Sequence, residues 1–370
     1  MDGDLVTLFL SGDVMLGRGV DQILPHPGDP ALSEPYVRDA RGYVELAEAV
    51  NGAIPRPVPF SWPWGEALPL LDAAAPDVRL VNLETSVTRS GDAASGKEVL
   101  YRMHPANLPC LSAARPDVCA LANNHVLDYG RLGLEETLAS LAAAGLRTAG
   151  AGRDLDAARR CASVPVPGGG RVVVVSLGLE CSGVPPSWAA TARRSGVHFA
   201  AGPSPAVAED VTALLRRAKR PGDVTVVSVH MGSNWGYRVP GEQVRFAHAL
   251  VDGGADVVHG HSSHHPRPVE VYRGRLVLYG CGDLINDYEG ITGYERYRDD
   301  LRLLLVASVE SGTGRFHELR ITPLQARRMR LTHASDSDCR GVHEVLSRIG
   351  DGLGTGMRAE PDGSITVRPS

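Results

Sequence analysis

A chain of 370 residues with 43% hydrophobic and 22% charged side chains has ordinary globular composition, which excludes a disordered chain and allows one large core. The formal net charge of -5 supplies no overall attraction to nucleic acid or anionic lipid, so neither is expected as a partner. The six cysteines show no C-x-x-C spacing, no run of about 18 apolar residues marks a membrane span, and the start MDGDLVTLFLSGD lacks the basic flank of a secretory signal, so free thiols and a cytoplasmic location are expected.

Short β-branched runs occur at 6–10, 78–81, 118–121, 172–177, 224–229 and 256–258. Most are continuous rather than alternating, the pattern of strands covered on both faces. Helical periodicity falls between them at 131–144, 205–220 and 241–253, and this alternation predicts β-α-β units in a parallel sheet. Two antiparallel hairpins are expected next, 268–281 turning at Arg273-Gly274 and 301–323 turning between Ser311 and Gly314. Segments 19–66 and 88–104, rich in Pro, Gly and polar residues, read as insertions or lids over a site. A helix at 341–349 and a Gly-rich charged tail close the chain, giving a main domain over 1–330 and a C-terminal helix and tail over 331–370.

Side chains with metal-binding chemistry begin where the apolar runs stop. Asp13 follows Leu8-Phe9-Leu10-Ser11-Gly12, Asn82 and Glu84 follow Leu80-Val81, and Asn124 and His125 follow Leu121-Ala122. His230 follows Ser228-Val229, and His259 and His261 follow Val257-Val258. Carboxyl ends of parallel strands share one edge of an open α/β sheet, so these five segments are expected to converge. Taken singly, Asp13 reads equally well as a turn residue or helix cap, Asn124 as part of a turn, and His230 as a hydrogen-bonded core histidine. The run from His259 to His265 holds four imidazoles in seven residues, which points to metal or proton chemistry. Imidazoles, carboxylates and an amide oxygen without cysteine suit one or two catalytic divalent ions, Zn, Mn or Fe, better than a structural zinc. With only Asp13 and Glu84 to offset it, such a centre stays net positive, attracts an anionic substrate and acidifies water. Arg18 and Arg238 are candidates to grip a carboxylate or phosphate, and Trp62, Trp64 and Trp235 either line a cleft or pack. The run Gly168-Gly169-Gly170 lacks the Lys and Ser/Thr of a nucleotide loop.

The stretches GDVMLGRG at 12–19, NLE at 82–84, ANNHVLDYG at 122–130, HMG at 230–232 and GHSSH at 260–264, through Gly282-Asp283, resemble the successive motifs of the CapA family. That family is associated with poly-γ-glutamate capsule synthesis and is related in fold to calcineurin-like metallophosphatases. The resemblance runs over about residues 5–290 and implies an α/β fold, a metallophosphatase-like layered β-sandwich flanked by helices, with a two-metal centre. It implies that Asp13 binds the first metal, Glu84 takes the bridging carboxylate's place, and Asn124 and His230 hold the second. His125 matches the histidine that protonates the leaving group. His259 and His261 fall at the closing histidine motif, where His264 is an alternative ligand. Arg18 is kept beside His125 as a candidate catalytic group.

Two departures from the metallophosphatase pattern bear on this. Met15 stands where the pattern has a histidine, and Glu84 replaces an aspartate. A thioether suits Zn or Mn poorly, so compensation by His264 or His265 is expected. Three functions remain open at this point: hydrolysis of a phosphoester or amide in an acidic, γ-glutamyl-type substrate; a non-hydrolytic accessory role in anionic polymer synthesis; and amide-forming acyl transfer in a small-molecule pathway.

Overall fold

In the computed structural model, which describes residues 5–369, alternate residues of the first strand face two different cores. Val6, Leu8 and Leu10 of strand Leu5–Val14 enter one apolar cluster with Val172, Val174, Val224 and Val226, while Phe9 enters another with Val81 and Cys119. The period-two geometry of a strand requires this division, and it sets the layers.

The first sheet runs Met357–Ala359, Ile365–Val367, Phe316–Ala326, Leu301–Glu310, Leu5–Val14, Val78–Leu83, Val118–Ala120, Arg147–Ala149. The second runs Phe199–Ala200, Arg171–Leu179, Val224–His230, Val257–His261, Arg275–Leu278, Val269–Tyr272. The sheets face each other across a shared valine- and leucine-rich layer. Helix Gly130–Ala143 covers the outer side of the first sheet through Leu134 and Leu141. Helices Pro205–Ala218 and Gly241–Asp252 cover the second through Val211, Leu215, Phe246 and Leu250. This is the expected α/β architecture, a layered β-sandwich flanked by helices.

Parallel pairing holds in both sheet centres, from Leu5–Val14 through Val78–Leu83 to Val118–Ala120, and from Arg171–Leu179 through Val224–His230 to Val257–His261. Both hairpins form, the first turning at Arg273 and Gly274 with φ 49° and 70°, the left-handed pair that matches strand twist. All six cysteines are free thiols, and no helix among the described residues is long and apolar enough to cross a membrane.

The strands run past their apolar stretches, so that Asp13, Asn82, His230, His259 and His261 are strand residues rather than loop residues. Backbone pairing thus fixes their positions directly. Segment 19–66 contains helices Gly19–Ile23 and Arg41–Asn51, whose Val20, Ile23 and Val44 join the outer core. Where a helix and tail are expected, helix Asp336–Gly350 leads into two short strands that extend the first sheet along Phe316–Ala326.

Candidate metal centre

The site begins with an irregularity in the first strand. Leu10 pairs with Leu80, yet Asp13 pairs with Asn82, so three steps on one strand match two on the other. The extra residue is a bulge, which re-aims the side chain that follows it. Gly12 permits a close approach here, since a Cβ on it would lie 1.6 Å from the Gly282 carbonyl oxygen. The neighbouring Asp13 amide donates to that oxygen at 3.1 Å, and strand Asp283–Ile285 pairs in parallel with Asp13 opposite Asp283.

Three carboxylates meet at this edge, Asp13, Glu84 and Asp283, each at most 2% exposed. Among the described residues none of them forms an ion pair with Lys or Arg; their ion-pair partners are His261, His125, His230 and His264. Asn82 Nδ2 donates to Asp13 Oδ1 at 2.7 Å and to Glu84 Oε2 at 2.9 Å, while Asp13 Oδ2 is buried without a partner. Burial, then the charge of Asp283, pushes the Asp13 carboxyl up to about 7. Burial, then Asp13, pushes Glu84 well above the usual carboxylate range. Burial acts upward on Asp283 too, and most strongly of any single influence, but His264, Arg302 and the Asn286 amide together keep Asp283 below that range.

Opposite them stand the imidazoles of the second sheet. His230 and His261 are adjacent through parallel pairing, with their Nδ1 atoms 2.8 Å apart, and burial holds both well below the usual histidine range. Both are therefore neutral, the form that binds metal. His230 Nε2 lies 3.0 Å from Asn124 Oδ1 and 3.8 Å from Glu84 Oε1. His264 Nδ1 lies 3.0 Å from Asp283 Oδ1.

Two groups have donor atoms close enough to share an ion: Asp13, His230 and His261, and Asp13, His264 and Asp283. Asp13 belongs to both. A buried, partnerless carboxylate oxygen among further carboxylates and neutral imidazoles is what a bound cation would satisfy, so the residues fit a metal centre.

Residues 7–288 match the family model described as bacterial capsule synthesis protein PGA_cap. The chain belongs to this capsule synthesis family. It is 54% identical to a Mycobacterium tuberculosis protein named a probable polyglutamine synthesis accessory protein, over 99% of this chain and 97% of the relative. It is 28% identical to the Bacillus subtilis PGA biosynthesis protein CapA, over 87% and 72% of the two chains. With the Bacillus anthracis capsule biosynthesis protein CapA it shares 24% identity over 80% and 63%.

In this member of the family the remaining expected residues fall into distinct places. His259 stands behind the cluster, its Nε2 2.8 Å from the Ser11 carbonyl oxygen and its Nδ1 3.2 Å from Ser228 Oγ, so both ring nitrogens are occupied. His265 is turned away too, its Nδ1 2.9 Å from the Pro266 carbonyl oxygen and its Nε2 accepting from the Gly236 amide. His125 Nδ1 lies 2.6 Å from Asp128 Oδ2, with Nε2 3.8 Å from Glu84. Burial first, with Lys97 adding to it against the opposing Asp128, holds His125 down to about 4.

Arg18 is buried, and its donors are taken: Nε and Nη2 bond Asp287 at 2.8 and 2.5 Å, Nη2 also reaches Tyr101, and Nη1 reaches Glu34. Its guanidinium lies 3.6 Å from the Tyr43 ring centroid. It forms the wall of a cleft of about 480 Å³ that opens onto His264 and is lined by Trp235, Tyr288 and Tyr294. Trp64 is core, Trp62 bonds the Arg328 carbonyl, and Arg238 is exposed.

Sequence reasoning missed Asp283, Asp128 and Lys97 as members of the site. Asp283 and Asp128 lay within the motifs already quoted. Lys97 carried a different signal, being one of only two lysines in a chain whose other cations are arginines.

Proposed function

We propose that this protein is a metal-dependent hydrolase of poly-γ-glutamate capsule metabolism, acting on an amide or phosphoester of a γ-glutamyl-type substrate. The observation that carries the reading is Asp13, shared by two ligand groups and holding a buried oxygen with no protein partner. Asp13, His230 and His261, with Asn124 and Glu84 beside them, would hold one ion; Asp13, His264 and Asp283 would hold another. Bound Zn, Mn or Fe supplies acidified water and charge to stabilise an oxyanion.

The protein's own groups then have separate tasks. The cleft beside Trp235 and Tyr288 admits substrate against His264, and Arg18 holds the cleft wall through Asp287 and Glu34. His125, next to the ligand-bearing segment and with Nε2 aimed at Glu84, is neutral in the resting site and would pass to the leaving group a proton that Nε2 takes up from water. Asp128 fixes the orientation of its ring. A non-hydrolytic accessory role is the second reading, favoured by the accessory designation of the Mycobacterium tuberculosis relative.

A test follows from His125. Purified protein is assayed with alkyl phosphoesters and γ-glutamyl amides, with and without chelation and metal restoration. His125→Ala is expected to keep its metal and lose about 10²- to 10⁴-fold in turnover, the effect of removing a general acid. Wild-type protein that binds metal and turns over neither substrate class would favour the accessory reading.

A further inference from the structure

Segment 88–104 crosses the site with little regular structure, only the two-residue strand Arg102–Met103, yet it delivers one side chain deep into it. Lys97 extends from an otherwise polar stretch so that its Nζ contacts three groups. It donates to the carboxylate of Asp128 through Oδ1 and to the backbone carbonyl of Asn124, and it lies 2.9 Å from His125 Nδ1. Its Nζ also lies 5.2 Å from the centroid of the Trp188 ring. Of the ammonium's three donors, two are taken by Asp128 and the Asn124 carbonyl, while His125 Nδ1 spends its proton on Asp128 Oδ2 and only lies beside Nζ.

The partners of Lys97 are the groups that set the attitude of His125. Asp128 divides its carboxylate, with Oδ1 taken by Lys97 and Oδ2 facing both His125 Nδ1 and the Tyr101 amide. The same turn is held from below by Asn123, whose Oδ1 accepts from the His125 and Val126 amides at 3.1 Å each. Lys97 thus closes the remaining open side of a turn already braced by Asn123. Arginine is not an equivalent here, since its larger planar fork does not fit the point at which the Lys97 ammonium meets the Asp128 carboxylate and the Asn124 carbonyl.

We propose that Lys97 is a positioning residue for proton donation by His125, clamping Asp128 and the Asn124 carbonyl so that the imidazole edge faces the leaving group. The proposal rests on the hydrolase reading, under which His125 donates that proton. It makes the 88–104 insertion part of the catalytic apparatus rather than a cover. A lysine that only anchored its loop would leave His125 unchanged.

The test compares wild type, Lys97→Met, Lys97→Arg and His125→Ala as full-length, metal-loaded proteins on two substrates of one chemical type. One substrate carries a p-nitrophenyl leaving group, which departs unaided, and the other an alkyl group, which needs a proton. Lys97→Met is expected to lose at least about tenfold more kcat on the alkyl substrate than on the p-nitrophenyl one, with metal content kept. Lys97→Arg is expected to restore little of that difference, and Lys97→Met in the His125→Ala background to add almost nothing to it. Equal losses on both substrates, or independent losses in the double variant, would overturn the proposal.

Should wild type turn over neither substrate, the hydrolase reading fails first, and the clamp is read without turnover. The ¹⁵N resonances of the His125 ring are recorded in wild type and Lys97→Met. A changed ring environment, with circular dichroism and metal content preserved, supports the clamp; unchanged His125 resonances overturn it.

Discussion

Asp13 is expected to destabilise the metal-free protein. Its carboxyl is fully buried, faces Asp283 across paired strands and leaves Oδ2 unsatisfied. Removing its charge should relieve that strain while destroying the centre it serves, a trade common at functional sites. Asp13→Asn is expected to lose bound metal by elemental analysis, and its metal-free form to melt no lower than metal-free wild type. A lower melting temperature would mean that the carboxylate has a stabilising partner instead. His198 gives a residue-scale prediction away from the ligands. It is 4% exposed, its Nδ1 is 3.0 Å from the Ser176 carbonyl oxygen, and burial lowers it to about 4 from 6.5. The folded state therefore holds it neutral, and below 6.5 the unfolded chain binds a proton that the folded chain refuses. This stabilisation is complete above 6.5 and is lost as pH falls through 4, on the order of 3 kcal/mol in all. Asparagine keeps a donor at the δ position without the titration. In urea unfolding between pH 6.5 and 4, His198→Asn should therefore show a slope reduced by about one proton, and an unchanged slope would assign the effect to other histidines.

At the scale of elements, the bulge after Leu10 joins the fold to the chemistry. It lets strand Leu5–Val14 set Asp13 against Asn82 on one side and Asp283 on the other. A Cβ at Gly12 has no room beside the backbone of Gly282, so accommodating one requires strand Asp283–Ile285 to move away. Gly12→Ala is expected to destabilise the protein by about 1–3 kcal/mol, and by more if the strands separate, the range for overpacked interiors. Metal content should fall along with stability, because Asp283 leaves Asp13. A helix cap supplies the control: Ser335 Oγ accepts from the Asp338 amide far along the chain from the ligands. Ser335→Ala should cost about 1 kcal/mol with no change in metal content. If both variants keep their metal, the bulge is not what brings Asp283 to the centre.

For the molecule as a whole, two sheets of separate construction meet at a single edge, and the ligand groups draw on both. Metal that binds there ties the layers together and stabilises only the folded state, by roughly 2.7 kcal/mol at a free concentration a hundredfold above its dissociation constant. Titration of metal-free protein with Mn or Zn is expected to raise the melting temperature progressively and to saturate at two equivalents. His264→Ala should saturate at one, since it removes the only imidazole of the group Asp13, His264 and Asp283; two surviving equivalents would discard His264 as compensation for Met15. The sequence by itself determined the central strands, the order of the segments and the edge at which they end, because continuous β-branched runs, helical periodicity and turn residues are local signals. It singled out Asp13, Glu84, Asn124, His125 and His230 through their place beyond those runs, and the fold brings these side chains near one another. It left open which of His259, His261, His264 and His265 face the centre, since neighbours in a short run of histidines differ only in the direction imposed by pleat and turn. The tertiary structure decided this: pairing of Val257–His261 with Val224–His230 sets His261 beside His230 and sends His259 back to Ser11 and Ser228. It also decided that Arg18 is occupied by Asp287, 269 residues away, and that Lys97 reaches Asp128 from an insertion without periodicity. Contacts of this kind depend on how distant chain segments are brought together in packing, which no local pattern encodes.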